Sequence, residues 1–155
     1  MFGQFIPVLV SMVLFCGINT GCARREPQGP PTVILTDNYG KSVPVKVEIA
    51  SRPSQQRRGL MFRQHLDPDA GMLFVYRADG PRYFWMKNTY LSLDMLFIGS
   101  NLRIVGIIEK AEPLTETKRS VDLPSRFILE VNGGFVRKHG VSVGSRVRFE
   151  NIPGI

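Results

Sequence analysis

Short apolar segments separated by turn residues dominate the chain, and they predict a protein built mainly of β-strands. Apolar and polar side chains alternate from Val43 to Ile49, as they do in a strand that buries one face. Further apolar segments of strand length are Met72–Tyr76, Arg82–Met86, Leu93–Ile98, Leu102–Ile108, Phe127–Val131 and Arg146–Glu150. Together they predict a compact antiparallel β-barrel or sandwich with one or two short helices.

The helices are predicted by their boundary residues. Ser51 to Leu60 has Pro53 near a helix start and Gly59 near a helix end, and its low apolar content predicts a surface position. Gly134 to Gly140 predicts a second brief helix that ends at Gly140. Ala111 to Ser125 is the longest predicted irregular loop, and loops of that length are often functional or mobile.

The amino-terminal segment is typical of a secreted, lipid-anchored protein. Residues 1–23 carry no charged side chain, and Phe5 to Ile18 is an apolar run of 14 residues, short of the ~20 that a membrane span needs. The run leads to Thr20-Gly21-Cys22, which resembles a bacterial lipobox, so we expect residues 1–21 to be a signal peptide and Cys22 to be lipidated. Asn19 replaces the usual aliphatic residue and no Lys or Arg precedes the run, so an uncleaved anchor is the alternative.

The chain after the signal is expected to hold one domain. Residues 22–32 form a Pro-rich tether, and residues 33–155 form a single β-rich domain. Removing 21 of the 155 residues leaves 134, with Cys22 as the sole Cys, so no disulfide within the chain is expected. The net charge of +7 is scattered, which favours a solvated surface and an anionic membrane or wall polymer over nucleic acid.

The block from Phe84 to Asp94 holds the single Trp of the chain together with a cation, an amide and a carboxylate. On a strand, Phe84 and Met86 would share one face while Trp85 and Lys87 share the other. The first pair would fill the core. Trp85 beside Lys87 would then form a stacking platform for a sugar or an aliphatic chain, or else Trp85 plugs one end of a barrel.

Residues 58–149 resemble the DUF192 family, a set of small secreted or lipid-anchored prokaryotic domains of unknown function. The matching pieces are Gly59-Leu60-Met61, Gly71-Met72-Leu73-Phe74, the block from Phe84 to Thr89, Leu93-Asp94, Leu129-Glu130 and the closing segment from Gly144 to Phe149. Ser92 departs from the family pattern, which usually has Pro before Leu-Asp. The resemblance implies a compact β-rich fold and does not specify a substrate.

Two carboxylates, Asp94 and Glu130, lie within apolar strand segments. A carboxylate on an apolar face must be paired or hydrogen-bonded, or its pKa rises. They are interpreted first as structural anchors that hold Arg58 or the Asn88-Thr89 turn. The alternative is an acid–base pair of a glycosidase, which would need the two carboxyl groups at a defined separation.

The candidate binding residues are Arg58, Trp85, Lys87, Asn88, Asp94 and Glu130, with Cys22 as the lipidation site. No metal or cofactor is expected: the segment from His65 to Asp69 is better interpreted as a turn, and phosphate-loop, nucleophile-elbow and zinc-protease motifs do not occur. We expect a binding or accessory domain for an envelope polymer or small ligand, anchored on the periplasmic or extracellular face of a membrane. The alternatives are a hydrolase of envelope carbohydrate that uses Asp94 and Glu130, and a purely structural domain.

Overall fold

The computed structural model describes residues 29–155, so the predicted signal peptide, Cys22 and most of the tether lie outside the described residues. Seven strands and two short helices make up the described part, which confirms the predicted mainly β class. The elements in chain order are β1 (Thr32–Thr36), β2 (Ser42–Ala50), α1 (Pro53–Arg58), β3 (Ala70–Gly80), β4 (Leu93–Ile98), β5 (Ile104–Ala111), β6 (Ser125–Asn132), α2 (Phe135–His139) and β7 (Val147–Glu150).

The strands form one sheet in the order β5-β4-β6-β3-β2-β1-β7. Its neighbouring strands are antiparallel apart from β2 and β3, which run parallel. The sheet curls until its two edges meet, where Arg103 forms an isolated bridge with Arg146 and the Val147 N–H donates to the Leu102 carbonyl at 2.9 Å. The curled sheet therefore has an inner face and an outer face.

The inner face carries the larger apolar core. Alternate residues of each strand point inward, so that Val45 of β2, Leu73 of β3 and Leu129 of β6 are fully buried in one cluster. Burying an aliphatic side chain of this size stabilises the fold by about 1.5–3 kcal/mol. This cluster fixes the register of the strands, because a shift by one residue would move every inward side chain to the outer face.

A second apolar cluster covers the outer face of β3, β6 and β4. Phe74 of β3 contacts Phe84 edge-to-face with ring centroids 5.0 Å apart, and Phe84 contacts Phe97 of β4 in the same way at 6.0 Å. Leu60, just after α1, and Met86 are buried in this cluster. The outer layer is therefore built from the sheet below and from two loop segments above it.

Helix α1 forms as its boundary residues predict. Pro53 occupies the first turn, where its missing N–H leaves no helical bond unmade. Gly59 ends the helix with φ of +47°, and no residue of α1 is buried, so the predicted surface position is correct. Helix α2 likewise ends at Gly140 in the left-handed conformation. Neither helix of residues 29–155 is long and apolar enough to cross a membrane.

The predicted strand at Arg82–Met86 is wrong. This segment joins no strand of the sheet and pairs with the long loop instead. Phe84 exchanges backbone hydrogen bonds with Arg119 at 2.9 and 2.8 Å, and the Met86 N–H donates to the Thr115 carbonyl at 2.8 Å. The expected division of side chains nevertheless holds, because Met86 is fully buried while Trp85 is 49% exposed.

Candidate functional site

A cleft with a volume of about 300 Å³ opens in the outer layer, and we call it the Glu130 cleft. Its floor is formed by β3 and β6, one wall by α1 and the turn after it, and the other wall by the segment before β4. A volume of this size suits a small molecule. The lining residues are Pro53, Gln56, Arg57, Arg58, Gly59, Leu60, Met61, Phe74, Tyr76, Tyr83, Phe84, Trp85, Met86, Thr89, Leu93 and Glu130.

Glu130 lies at the floor of this cleft. Sheet pairing places Met72 of β3 on one side of it and Met95 of β4 on the other, and Glu130 itself is only 4% exposed. Within residues 29–155 its carboxyl group accepts no hydrogen bond and forms no ion pair, and burial raises its pKa to about 8. At neutral pH this carboxyl group is therefore mostly protonated.

Gly59 allows α1 to end directly above this carboxyl group. A Cβ at position 59 would lie 3.2 Å from the Phe74 ring and 3.9 Å from Oε2 of Glu130. The positive φ of Gly59 is also a conformation that other residues rarely adopt. The side chain of Gln56 fixes the helix to the sheet, because its Nε2 donates to the Val75 carbonyl at 2.8 Å.

The walls of the Glu130 cleft are aromatic. Phe74 and Phe84 form the inner part, while Trp85 stands half exposed at the opening. Burial raises the pKa of Tyr76, the charge of Arg82 opposes that rise, and Glu130 adds to it by a smaller amount. The guanidinium of Arg82 lies over the Tyr76 ring at 3.8 Å from its centroid, a cation–π contact at the edge of the same wall.

Arg57 and Arg58 line the opening from the last turn of α1. Both are exposed, and among the described residues neither takes part in an ion pair. Cations are favourable at the carboxyl end of a helix, where the unpaired carbonyl groups carry partial negative charge. The opening is therefore positively charged, whereas the floor holds a carboxyl group.

Asp94 belongs to a different part of the molecule. It is fully buried, and its Oδ1 accepts hydrogen bonds from the N–H groups of Lys110 at 2.8 Å and Gly134 at 2.9 Å. Its Oδ2 accepts from the N–H of Val136 at 2.9 Å. Asp94 therefore fastens β5 and the start of α2 to β4. The partners predicted for it, Arg58 and the Asn88-Thr89 turn, are not the ones it binds.

Asp94 and Glu130 point to opposite faces of the sheet. Asp94 lies opposite Val131 and Met95 lies opposite Glu130, and residues paired across antiparallel strands share a face. Asp94 therefore shares its face with the inner cluster, and Glu130 shares its face with the outer cluster. Two carboxyl groups on opposite faces of the sheet do not flank one glycosidic bond, so this register argues against the predicted acid–base pair.

Two other predicted binding residues lie outside the lining of the Glu130 cleft. The Nζ of Lys87 forms an ion pair with Glu116 at 3.1 Å. Asn88 adopts the left-handed conformation with φ of +53°, and its carbonyl accepts a hydrogen bond from the Phe62 N–H at 2.8 Å, which makes it a turn residue. The cleft thus brings together Arg58, Trp85 and Glu130 from the predicted set.

The sequence prediction did not include Arg57 and Tyr83 among the site residues. The sequence contains a hint for each of them. Arg57 is adjacent to Arg58 in a helix that ends at Gly59, and Tyr83 is two residues before Trp85, so in an extended segment both side chains point to the same side. Elsewhere, Nε2 of His65 contacts Oδ1 of Asp67 at 2.8 Å on the surface. Throughout residues 29–155, no three potential metal-ligating side chains lie close enough together to hold an ion.

Residues 34–149 match the model of the DUF192 family, which is described as "Uncharacterized ACR". The chain belongs to the DUF192 family. The match confirms the resemblance inferred from the motifs, and it contains every lining residue of the Glu130 cleft. The apolar segment and Cys22 precede it, so the DUF192 match does not cover the proposed anchor.

Solved structures resemble this DUF192 protein over most of its length. A protein from Sinorhizobium meliloti 1021, named as a proposed transcription regulator, is 42% identical, with a TM-score of 0.76 over 79% of this chain and 95% of that chain. A protein of unknown function from Novosphingobium aromaticivorans DSM 12444 is 33% identical, with a TM-score of 0.73 over 76% of this chain and 83% of that chain. A comparison with curated proteins gave no match.

Proposed function

We propose that this DUF192 protein is a binding domain that takes a small organic ligand into the Glu130 cleft. The observation that carries the proposal is the carboxyl group of Glu130, which is buried at the floor of a cleft without a partner in residues 29–155. A ligand that enters the cleft would supply the missing partner.

The comparison with Asp94 argues against a purely structural role for Glu130. Asp94 is also buried, but it accepts three hydrogen bonds from backbone N–H groups that hold neighbouring elements together. Glu130 links no element to another, and its neighbours across the sheet are the apolar side chains of Met72 and Met95. A fold that needed only packing at this position would be served by an apolar residue.

Binding is favoured over hydrolysis because the cleft offers a single carboxyl group. Glycosidases of the usual kind place two carboxyl groups roughly 5–9.5 Å apart on either side of the scissile bond. Glu130 is the one acidic residue that lines the cleft in the described part of the chain, and Asp94 faces the other side of the sheet. We therefore propose a site that holds its ligand without cleaving it.

The decisive experiment is native mass spectrometry of the purified protein, with attention to small molecules that copurify. We expect a bound compound on the wild type and on the control variant Glu150→Gln, which alters a surface carboxylate of β7. The variant Glu130→Gln should lose that compound. Trp85 is the single Trp of the chain, so its fluorescence reports directly on the cleft opening during titration with a metabolite library. A library in which no compound changes the fluorescence, together with no retained mass, would contradict the proposal.

We further propose that the domain is tethered to the outer side of a bacterial membrane through a lipid on Cys22. The apolar run followed by Thr20-Gly21-Cys22 supports this, as does the start of the DUF192 match at residue 34. The roughly ten residues between Cys22 and β1 span at most about 33 Å, which would keep the cleft near the membrane surface. A domain held there has no access to DNA, so the regulator name of the relative is not extended to this chain.

The anchor has its own test, which is fractionation of cells into membrane and soluble parts. Cys22→Ala should move the protein from the membrane fraction to the soluble one and abolish labelling by a fatty-acid analogue. The matched control, Cys16→Ala, alters a Cys inside the expected signal peptide and should leave both unchanged. A Cys22→Ala protein that stays in the membrane at its full length would support an uncleaved anchor instead.

A further inference from the structure

We propose, on the basis of the binding function above, that the ligand is a small zwitterion whose ammonium group contacts Glu130 and whose anionic group contacts Arg57 and Arg58. This assigns a chemical class to the ligand and an orientation to its two charged ends. The proposal rests on the arrangement of charge in the cleft, on the aromatic walls, and on the lack of protein partners for the three charged side chains.

The floor of the cleft favours a positively charged group. Met72 and Met95 flank Glu130 and bring no charge or strong donor to it. In a buried site the attraction between opposite charges is several-fold stronger than in water. An ammonium group would therefore gain more from the ionised Glu130 than a neutral hydroxyl or amide could from the protonated form.

The walls also favour a cation. Aromatic faces attract ammonium groups through the negative charge of their ring centres, and cages of aromatic side chains recognise organic cations in this way. Phe74, Tyr76, Phe84 and Trp85 line the cleft between its opening and Glu130. The Tyr76 ring already has a protein cation against it, the guanidinium of Arg82 at 3.8 Å.

The opening favours an anion. Arg57 and Arg58 lie next to each other at the end of α1, and both line the cleft. Guanidinium groups bind carboxylate and phosphate through paired, charge-assisted hydrogen bonds. Neither side chain has an acidic partner among the described residues, so both are available to a ligand. A molecule with a cation at one end and an anion at the other would match floor and opening together.

The charges around Glu130 give the proposal a characteristic pH dependence. The titratable and charged groups that line the cleft around it are Arg57 and Arg58 from α1, Tyr76 from β3, and Tyr83 from the segment before β4; β4 contributes only apolar side chains. Because the pKa of Glu130 is about 8, an ammonium group must displace its proton at neutral pH. The apparent affinity should rise about tenfold from pH 6 to pH 7 and level off above pH 8.

The test is a titration of the full-length purified protein, followed by Trp85 fluorescence and by calorimetry. The zwitterionic probes are phosphocholine, phosphoethanolamine and glycine betaine, which separate a phosphate from a carboxylate and a methylated from a primary ammonium group. Choline supplies the cation alone, and neohexanol is its uncharged carbon analogue. We expect at least one zwitterion to bind tenfold more tightly than choline, and choline to bind tenfold more tightly than neohexanol.

Variants of the cleft residues test which side chain contacts each charged end of the ligand. Glu130→Gln should weaken zwitterion binding at least tenfold and remove its rise with pH. Arg57→Gln combined with Arg58→Gln should reduce the preference for the zwitterion over choline to less than threefold. Arg52→Gln is the matched control, because this exposed Arg precedes the same helix and does not line the cleft. It should leave binding unchanged.

Three outcomes would overturn the inference. Neohexanol binding as tightly as choline would show that charge is not recognised. An affinity that falls as pH rises would indicate a neutral ligand that accepts a hydrogen bond from the protonated carboxyl group of Glu130. A copurified compound without an ammonium group would also contradict the inference. Each of these leaves the binding function intact, whereas a cleft that holds neither the probes nor any copurified compound contradicts the binding function itself.

Discussion

Replacing Glu130 with Gln should stabilise the ligand-free protein at neutral pH. Burial raises the pKa of this carboxyl group from its ordinary value of 4.5 to about 8 in the folded protein. Below pH 4.5 both the folded and the unfolded chain hold the proton, so this group does not make the free energy of unfolding depend on pH there. As the pH rises from 4.5 to 8, the unfolded chain releases the proton while the folded chain keeps it, and the free energy of unfolding falls.

The size of the effect follows from the pKa difference. Each pH unit between the two values lowers the stability of the wild type by about 1.4 kcal/mol, so the loss is about 3 kcal/mol at pH 7 and about 4 kcal/mol at pH 8. Gln has nearly the same shape and no proton to lose. We therefore expect Glu130→Gln to match the wild type near pH 4.5 and to exceed it by about 3 kcal/mol at pH 7.

The assay is urea unfolding followed by far-ultraviolet circular dichroism at pH 5, 6, 7 and 8. His139, whose pKa is lowered mainly by burial, titrates in both proteins, so its contribution cancels in the difference between them. Glu150→Gln, at a surface position, should follow the wild type at each pH. Parallel stability curves for the wild type and Glu130→Gln would refute the reasoning, because they would mean that the carboxyl group ionises in the folded protein as easily as in the unfolded chain.

Three further predictions test other parts of the structure. Asp94→Ala should lower the free energy of unfolding by about 3–5 kcal/mol in the same urea assay, because it leaves three backbone N–H groups without their acceptor. The control Asp79→Ala removes an exposed carboxylate with one such bond, and it should lower the free energy of unfolding by under about 1 kcal/mol. Gly71→Ala should destabilise the fold by at least about 2 kcal/mol in thermal unfolding, since its Cβ would lie 2.6 Å from the Glu130 carbonyl; an unchanged midpoint would contradict the strand contact. Trp85→Ala should weaken ligand binding at least tenfold in calorimetry yet shift stability by under about 1 kcal/mol, because this side chain is half exposed.

The strands that could be predicted from the sequence are those whose signal is local. The alternation from Val43 to Ile49 corresponds to β2, and the apolar run from Leu93 to Ile98 is β4. Strand β1 was not predicted, because its apolar centre is three residues long and follows the Pro-rich tether. It is held by pairing with β2 and β7, one nearby and one at the far end of the chain. Such pairing leaves no pattern within the strand itself.

The segment from Arg82 to Met86 has the local pattern of a strand but does not join the sheet. Its side chains alternate as in a strand, and the structure keeps that alternation, but the backbone partners come from the loop around Arg119. Pro81 precedes the segment and Asn88 follows it in the left-handed conformation, which ends the extended backbone on that side. Side-chain parity was therefore predictable, whereas membership of the sheet depended on contacts remote in sequence.

The candidate site was only half predictable for a similar reason. Asp94 and Glu130 have the same local signature, a carboxylate within an apolar strand, and the sequence suggested a shared role. Their separation depends on a register in which Asp94 lies opposite Val131 rather than Glu130. A shift of one residue would have placed both on one face. Only the pairing of β4 with β6 decides this.

The contrast between these two carboxylates is the strongest argument for a ligand. Domains of this size are stable by about 5–15 kcal/mol, so the roughly 3 kcal/mol that Glu130 removes at pH 7 is a large fraction of the total. The cost of burying Asp94 is offset by three hydrogen bonds that hold neighbouring elements together. Glu130 has no such bond in residues 29–155. A buried carboxyl group that lowers stability and lines a cleft therefore supports the proposed role in binding. The ligand that pairs with Glu130 should therefore raise the stability of the wild type more than that of Glu130→Gln, and the same carboxyl group links binding, folding and pH.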